Sequence, residues 1–504
     1  MSATHGVSVA QRKQRAIALL QAGHVAEAKE IFEGLSRDAR RDPDVWHLLG
    51  ACHCMLGDDK QGEVFARKAV ALMPSFSGAW VNLGSALLGQ HKLSEAESAL
   101  REAIKRAPTD AQAHSNLGNV YREMKKTDEA EKCYREALRL QPNFPDALTN
   151  LGLIMQDRGE AAEAAVLHRR ALALNPQHVD AHYNLAYALM LLGEEKSAIP
   201  FLERLAQWRP GEARVWCALG SAYARLHDQK RAVMCYERGI GLDSDNAESL
   251  SALGVCYLTT GEREKSVAVL KRALELNPND NHARYWLAAA GVGEAPAAMN
   301  ADAVSKLFDN YAGNFDEHLV GKLQYRTPAL ISAALRRAVG DETRALALLD
   351  LGCGTGLLGV EIKDIAGYLA GVDLSPKMIE QARRRGIYQD LAVQDIADYM
   401  ETASRHFDVV LSADVFVYIG NLDRVFAATA SCLRSGGWFA FSVEAHTGNE
   451  PYQLRTSGRY AHSLPYLRAL SARHGFTEIS VETVNLRMEN NIPIEGYVVI
   501  LRRL

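Results

Sequence analysis

The chain has 504 residues, enough for two or more domains with ample cores. Apolar residues make up 48% and charged residues 23%, an ordinary soluble balance. A net charge of −4 sets up no global field, so neither nucleic acid nor membrane is expected as a partner.

The first fifteen residues, MSATHGVSVAQRKQR, lack an apolar h-region, and no run of ~18 apolar residues occurs. The eight cysteines are scattered and none sits in a CxxC. Cys52-x-Cys54 has no companion pair or His cluster at zinc spacing. Buried thiols, no metal and a reducing, cytoplasmic setting are expected.

A period of 34 residues dominates the N-terminal part. Trp80, Leu83, Gly84, Ala96, Leu100 and Pro108 return as His114, Leu117, Gly118, Ala130, Tyr134 and Pro142. They return again as Leu148, Leu151, Gly152, Ala164, His168 and Pro176. The series reaches forward to Pro278 and back to Trp46, with a degenerate first unit at Ala28 and Phe32. Small residues at two positions let paired helices approach closely, and the proline stops the second helix. Each hairpin leaves a face bare, so the units must stack into a solenoid. Gly62 and Leu205 at Ala positions, and Ser244 at a Pro position, depart from the pattern.

This pattern resembles the tetratricopeptide repeat. About eight repeats plus a capping helix over 281–290 are expected, so that 1–290 is an all-α solenoid. One column at the same place in the first helix is Asn82, Asn116, Asn150 and Asn184. Such amides could hydrogen-bond the backbone of an extended peptide in the groove. Equally, asparagine could simply be common at that point of the repeat. The groove shows no stripe of one charge.

Residues 291–300, GVGEAPAAMN, break the period and read as a linker. The second domain spans 301–504. Its entry segment carries Tyr311, Phe315 and His318, then Tyr325-Arg326-Thr327-Pro328. Tyr311 and His318 are candidates for the substrate pocket, with plain helix packing as the alternative.

Next comes LALLDLGCGTGLLGVEIKDIAGYLAGVDL, 346–374. An apolar run ends at Asp350, and Gly352, Gly354 and Gly356 follow at alternate positions. A helical stretch and a second strand ending at Asp373 complete the opening of a doubly wound nucleotide-binding fold. Glycines let the strand turn sharply into a helix and let a ligand reach the main chain. The helix start offers N–H groups to an anionic end, and a carboxylate at the second strand's tip can accept ribose hydroxyls. A GxGxxG dinucleotide fingerprint begun at Gly352 would need glycine where Leu357 stands. The spacing is instead DxGxGxG.

That spacing, followed by GVDLS, resembles motif I and post-I of the class I S-adenosylmethionine-dependent methyltransferases. An ordinary loop for NAD or FAD is the alternative. The entry segment, with YAGNFDEHL and YRTP ahead of LDLGCGTG, looks like that of bacterial methyltransferases fused to these repeats. The resemblance implies an α/β, Rossmann-like, doubly wound seven-stranded sheet with its last strand antiparallel. It implies S-adenosylmethionine as cofactor, held by Asp350, Gly352, Cys353, Gly354, Gly356 and Asp373. It also implies that Leu374 and Ile396 pack on adenine, that Asp395 meets its amine, and that Asp414 lies beside the methyl donor.

Strands are expected at 391–394, 407–412, 438–444, 477–484 and 497–501. Tyr418 could shape the acceptor pocket. The stretch 444–465 reads as a long functional loop bringing His446, Arg455, Tyr460 and His462 towards the pocket mouth. Arg455 and Tyr460 are candidates for substrate contact. His446 and Glu444 are the candidate bases, should the acceptor need to lose a proton.

Three functions remain open on these residues. The first is a methyltransferase whose repeats recruit a protein or peptide. The second is a small-molecule methyltransferase whose repeats serve docking or oligomerisation. The third is an inactive adaptor, which has no physical need for the complete glycine loop.

Overall fold

The computed structural model describes residues 8–312, 315–316, 325–340, 345–489 and 492–504. Two compact units divide the chain, Met1–Leu226 and His227–Leu504. Among the described residues, no helix is long and apolar enough to cross a membrane.

The first unit is a run of helical hairpins, beginning Val9–Gln21 with Val25–Asp38 and including Ser77–Gly89 with Leu93–Arg106. Glycine at the repeated position is required by close approach. A Cβ on Gly84 would fall 2.5 Å from Leu100 Cγ, and one on Gly152 would fall 2.5 Å from the His168 ring. Gly62 has its own reason to depart from the pattern: a Cβ there would fall 2.2 Å from Cys54 Sγ. Second helices end at Leu72, Arg106, Leu140, Leu174 and Trp208, each two residues before a proline. The proline carbonyl is then used. Pro74 O accepts from Trp80 Nε1 at 2.9 Å, and Pro210 O accepts from Trp216 Nε1 at 3.0 Å.

The second unit begins with three more repeat helices, Gln229–Leu242, Ala247–Thr259 and Arg263–Leu276, and a capping helix, Asn281–Ala289. The connecting segment is pinned rather than loose. Ala297 O accepts from the N–H groups of Gly420 and Asn421, and Met299 N–H donates to Tyr418 O at 2.9 Å. A cover helix, Ala301–Tyr311, and a helix at Thr327–Val339 lead into the sheet.

The strands are β1 (Leu346–Leu351), β2 (Ala366–Asp373), β3 (Asp390–Val393), β4 (Phe407–Ser412), β5 (Leu433–Ala445), β6 (Tyr452–Leu454), β7 (Tyr460–His462), β8 (Phe476–Glu489) and β9 (Ile492–Arg503). β3-β2-β1-β4-β5 is parallel. β9 pairs antiparallel with β5 on one side and with β8 on the other. Both faces of β1 are buried, which is why it reads as an unbroken apolar run. Leu346 and Leu348 pack with Ile331, Val409 and Trp438 on one face. Leu349 and Leu351 pack with Phe426, Phe439 and Phe441 on the other. The lone acid in β4 is spent inside: Asp408 Oδ2 accepts from Ala347 N–H at 2.9 Å and Oδ1 from Arg434 at 2.8 Å.

The mostly parallel α/β sheet agrees with the expected class, but among the described residues it has nine strands, not seven. The extra pair lies within 444–465, which is therefore no plain loop. β7 pairs with β5 at Glu444 and Ala445, beyond the last residue at which β4 meets β5. β6 closes the hairpin at Tyr452–Leu454.

Candidate active site

The site forms where β1, β2, β4 and β5 end, the edge at which open α/β sheets bind ligands. After Leu351 the backbone turns through three left-handed glycines, Gly352 at φ +61°, Gly354 at +54° and Gly356 at +91°. Cys353 N–H donates to Val372 O at 3.0 Å, tying the turn to β2. Gly354 N–H donates to Asp373 Oδ2 at 2.9 Å, and Ser375 N–H donates to Oδ1 at 2.9 Å. Burial lifts the Asp373 carboxyl, and these backbone donors pull it back.

Space above the turn is uneven. A Cβ on Gly352 would fall 2.4 Å from Val415, and one on Gly356 3.0 Å from Tyr388. At Gly354 the nearest atom among the described residues is Phe315 at 3.8 Å, which leaves room for a ligand to approach the main chain. Asp350 is buried beneath, and its Oδ2 accepts from Tyr388 Oη at 2.7 Å. Burial first, and the Asp373 charge after it, push the Asp350 carboxyl up to about 7.

The cover helix rests on the loop after β2. Ser305 Oγ donates to Leu374 O at 3.0 Å, and Ser375 Oγ donates to Asp309 Oδ1 at 2.5 Å. Leu374 is half-buried, as a platform for a ring would be. Ile396 is not such a platform: it is buried in the core with Met400, Phe407 and Val410. Asp395 caps the helix Ile396–Thr402, its Oδ1 accepting from Ala397 and Asp398 N–H.

At the end of β4, Asp414 takes φ +59°, a left-handed conformation uncommon outside glycine. Its N–H donates to Ser442 Oγ at 3.0 Å and its Oδ2 accepts from Arg487 Nη1 at 2.9 Å. Asp414 Oδ1, Arg487 Nε and His446 Nε2 are buried with no hydrogen-bond partner among the described residues. Native structures rarely leave such groups bare, so a ligand group here would satisfy them. Tyr325 lies near Asp414, Arg487 and Asp350, and burial pushes its hydroxyl well up.

Several expected roles are corrected by this geometry. Glu444 is buried, with Oε2 accepting from Arg455 Nη1 at 2.9 Å and Oε1 from Arg487 Nη2. Both oxygens of Glu444 are thus taken up by guanidinium donors rather than offered to an acceptor, which leaves His446 as the candidate. Arg455 folds back onto Glu444 and the Ala445 carbonyl instead of facing a substrate. Tyr460 is fully buried, donating to Pro296 O at 2.6 Å and packing on Tyr285 and Tyr452. His462 is also buried, its Nε2 2.9 Å from Ile419 O, and burial pushes it down to about 4. Tyr418 stays half-buried, edge-on to Phe308 of the cover helix at 5.5 Å. The expectations for His318 and the Tyr311 side chain lie outside the described residues.

The asparagine column binds repeat to repeat. Asn82 Nδ2 donates to His47 O at 3.0 Å and Asn116 Nδ2 to Ser85 Oγ at 2.8 Å. Asn150 Nδ2 donates to Asn119 at 2.9 Å, and its Oδ1 accepts from Arg122 at 3.1 Å. Each of these three amides therefore has at least one donor engaged within the repeats. Asn184 is half-buried at the same place, and its backbone carbonyl accepts from Gln156 Nε2 at 3.1 Å.

Sequence reasoning missed Arg487 and Tyr388, and placed Tyr325 in the entry segment without giving it a role at the site. The one signal for Arg487 is an arginine between Leu486 and Met488 in a strand.

Comparison with known proteins agrees with this architecture. Residues 349–441 match the family model described as methyltransferase domain. Residues 213–246 and 247–280 match tetratricopeptide repeat models. Residues 1–207 match the model of the Cilia and flagella-associated protein 70 C-terminal domain. The human protein named Methyltransferase-like protein 27 is 36% identical over 107 residues, 21% of this chain and 43% of that protein. Ubiquinone biosynthesis O-methyltransferase of Thiobacillus denitrificans is 31% identical over 100 residues, 19% of this chain and 43% of that protein. A solved magnesium protoporphyrin IX methyltransferase from Synechocystis PCC 6803, with bound SAH, has a TM-score of 0.33 and 17% identity, covering 40% of this chain and 99% of that one. The chain spans less than half the length of the two curated relatives. It thus joins segments that match tetratricopeptide repeats to one that matches a methyltransferase domain.

Proposed function

We propose that the protein transfers a methyl group from S-adenosylmethionine to a protein or peptide recruited by its repeats. The observation that carries the methyl-transfer reading is the open main chain at Gly354, with its N–H fixed by Asp373. Functionally, 1–290 are the recruiting repeats, 291–300 the connection and 301–504 the catalytic part.

When bound, S-adenosylmethionine supplies a methyl already activated on a sulfonium sulfur. The turn Gly352–Gly356 would hold it against backbone rather than side chains. Asp373 would accept ribose hydroxyls on the lone pairs its two backbone donors leave. Leu374 would pack on the adenine and Asp395 would meet its amine. The enzyme's main task is then alignment and exclusion of water, which the cover helix and Tyr418 would serve. Asp414, clamped by Arg487, would offer its Oδ1 to a donor group beside the methyl. His446 would take a proton where the acceptor must lose one.

A small-molecule acceptor is the second reading, with the repeats used for docking or oligomerisation. It is favoured by the asparagine column, where Asn82, Asn116 and Asn150 hydrogen-bond between repeats. Radiolabelled S-adenosylmethionine in a lysate separates the two. Label running with protein supports the first reading, and label extracted into organic solvent supports the second. Calorimetry showing uptake of NAD and indifference to S-adenosylmethionine would end both.

A further inference from the structure

We propose that Arg455 is a positioning residue of the methyl-transfer site, held in place by the capping helix of the repeats. The inference rests on the reading of Asp414 as part of that site. It starts from the hairpin β6–β7, which the seven-stranded expectation lacks. The hairpin turn is closed by Arg455 N–H donating to Arg459 O at 2.9 Å and by Gly458 N–H donating to Arg455 O at 2.8 Å. Gly458 sits at φ +72°, and a Cβ there would fall 2.5 Å from the Trp286 ring. Tyr285 Oη donates to the Gly458 carbonyl at 2.8 Å. Tyr285 also packs edge-on against Tyr460 of β7, at 6.3 Å between ring centres. Two neighbouring aromatic residues of the helix Asn281–Ala289 therefore grip this turn.

From the gripped turn Arg455 reaches inwards. It donates to Glu444 Oε2 at 2.9 Å and to the Ala445 carbonyl at 2.5 Å. The other oxygen of Glu444 takes Arg487 Nη2, and Arg487 Nη1 holds Asp414 Oδ2 at 2.9 Å. A guanidinium is a planar fork with fixed donor directions, so each link constrains the next. Arg455 is one-third exposed, so by itself it would trade Glu444 for water at small cost. Anchorage of the turn removes that freedom. Without Arg455, Glu444 would keep Arg487 as its main cation and draw it away from Asp414. The capping helix is on this account a working component of the catalytic site.

The test uses the full chain, S-adenosylhomocysteine as calorimetric probe, and the side-chain Nε–H signal of Arg487 in 15N-arginine-labelled protein. Tyr285→Phe removes one hydroxyl at the far end of the chain of contacts, and Arg455→Met breaks its middle. Both should weaken probe binding by about two- to thirtyfold and move the Arg487 signal. Arg455→Lys should recover part of the affinity, and Lys271→Ala on an exposed repeat face should change neither readout. If Arg455→Met fails to fold, Tyr285→Phe carries the same test. An unmoved Arg487 signal in folded Tyr285→Phe, or a moved signal with wild-type affinity, overturns the positioning role. Wild-type protein that ignores the probe overturns the methyl-transfer reading itself, and the positioning role with it.

Discussion

Tyr388 Oη donates a 2.7 Å hydrogen bond to Asp350 Oδ2 just where β1 gives way to the glycine turn. The bond does not compensate for the burial of the acid, whose carboxyl is pushed up to about 7. An unfolded aspartate titrates near ~3.9. Between those values the folded chain binds more protons at this position than the unfolded chain. The stability contributed here is therefore full below about 4 and is lost as pH rises to about 7. Asp350→Asn removes the titration. Thermal melts of both proteins from pH 5 to pH 8 should show the variant gaining on wild type as pH rises. A gap that stays constant across the range counts against the shift.

The three glycines of the turn should separate folding from binding. Gly356→Ala places a Cβ 3.0 Å from Tyr388 at φ +91°, and Gly352→Ala places one 2.4 Å from Val415. Both should lower stability by about 1–3 kcal/mol in urea unfolding. Among the described residues Gly354→Ala meets nothing closer than 3.8 Å, so it should cost only the left-handed backbone strain, about 1 kcal/mol. Yet it should weaken S-adenosylmethionine binding most, because its methyl occupies the approach to the main chain. Calorimetry beside unfolding curves distinguishes the three. Equal affinity in Gly354→Ala and wild type would remove the turn from the binding site.

Asn150 joins two repeats through Asn119 and Arg122. Asn150→Ala should destabilise the chain by about 1–2 kcal/mol, the cost of leaving half-buried partners unpaired. Asn150→Asp keeps the acceptor for Arg122 and loses the donor to Asn119, so it should lie between. Urea unfolding read by circular dichroism gives the order. A peptide-binding role alone would leave all three proteins equally stable.

What the sequence made legible was what repeats or runs locally. The 34-residue period marked the helix hairpins, because close approach demands glycine at one fixed place in each. The buried strands β1 and β4 stood out as apolar runs, and the glycine turn was marked by its spacing. The hairpin β6–β7 was hidden, since three-residue strands have too few positions to show alternation. Tyr460 read as a pocket residue for the same reason, as nothing local reveals Tyr285, 175 positions earlier, packed against it. The asparagine column was visible, but its partners depend on how one repeat is offset against the next. Arg487 and Asp414 stand 73 residues apart, and only the return of β8 to the end of β4 pairs them.

Arg487 should be the costliest single substitution at the site. Its guanidinium is buried between Asp414 and Glu444 with about 1% of the side chain exposed. Arg487→Met leaves the buried Glu444 and the half-buried Asp414 without the cation they share, with Arg455 at 2.9 Å and Arg459 at 4.0 Å from Glu444. Breaking a buried pair in this way costs about 3–5 kcal/mol, because the remaining charge has lost its compensation. Removing the charges together is cheaper. The triple variant Asp414→Asn, Glu444→Gln, Arg487→Met should therefore regain much of the stability lost by Arg487→Met alone, while remaining unable to orient a ligand at Asp414. Unfolding curves for the single and triple variants measure the recovery. If the triple variant is as unstable as the single one, the arginine acts by packing and not by neutralising Asp414 and Glu444.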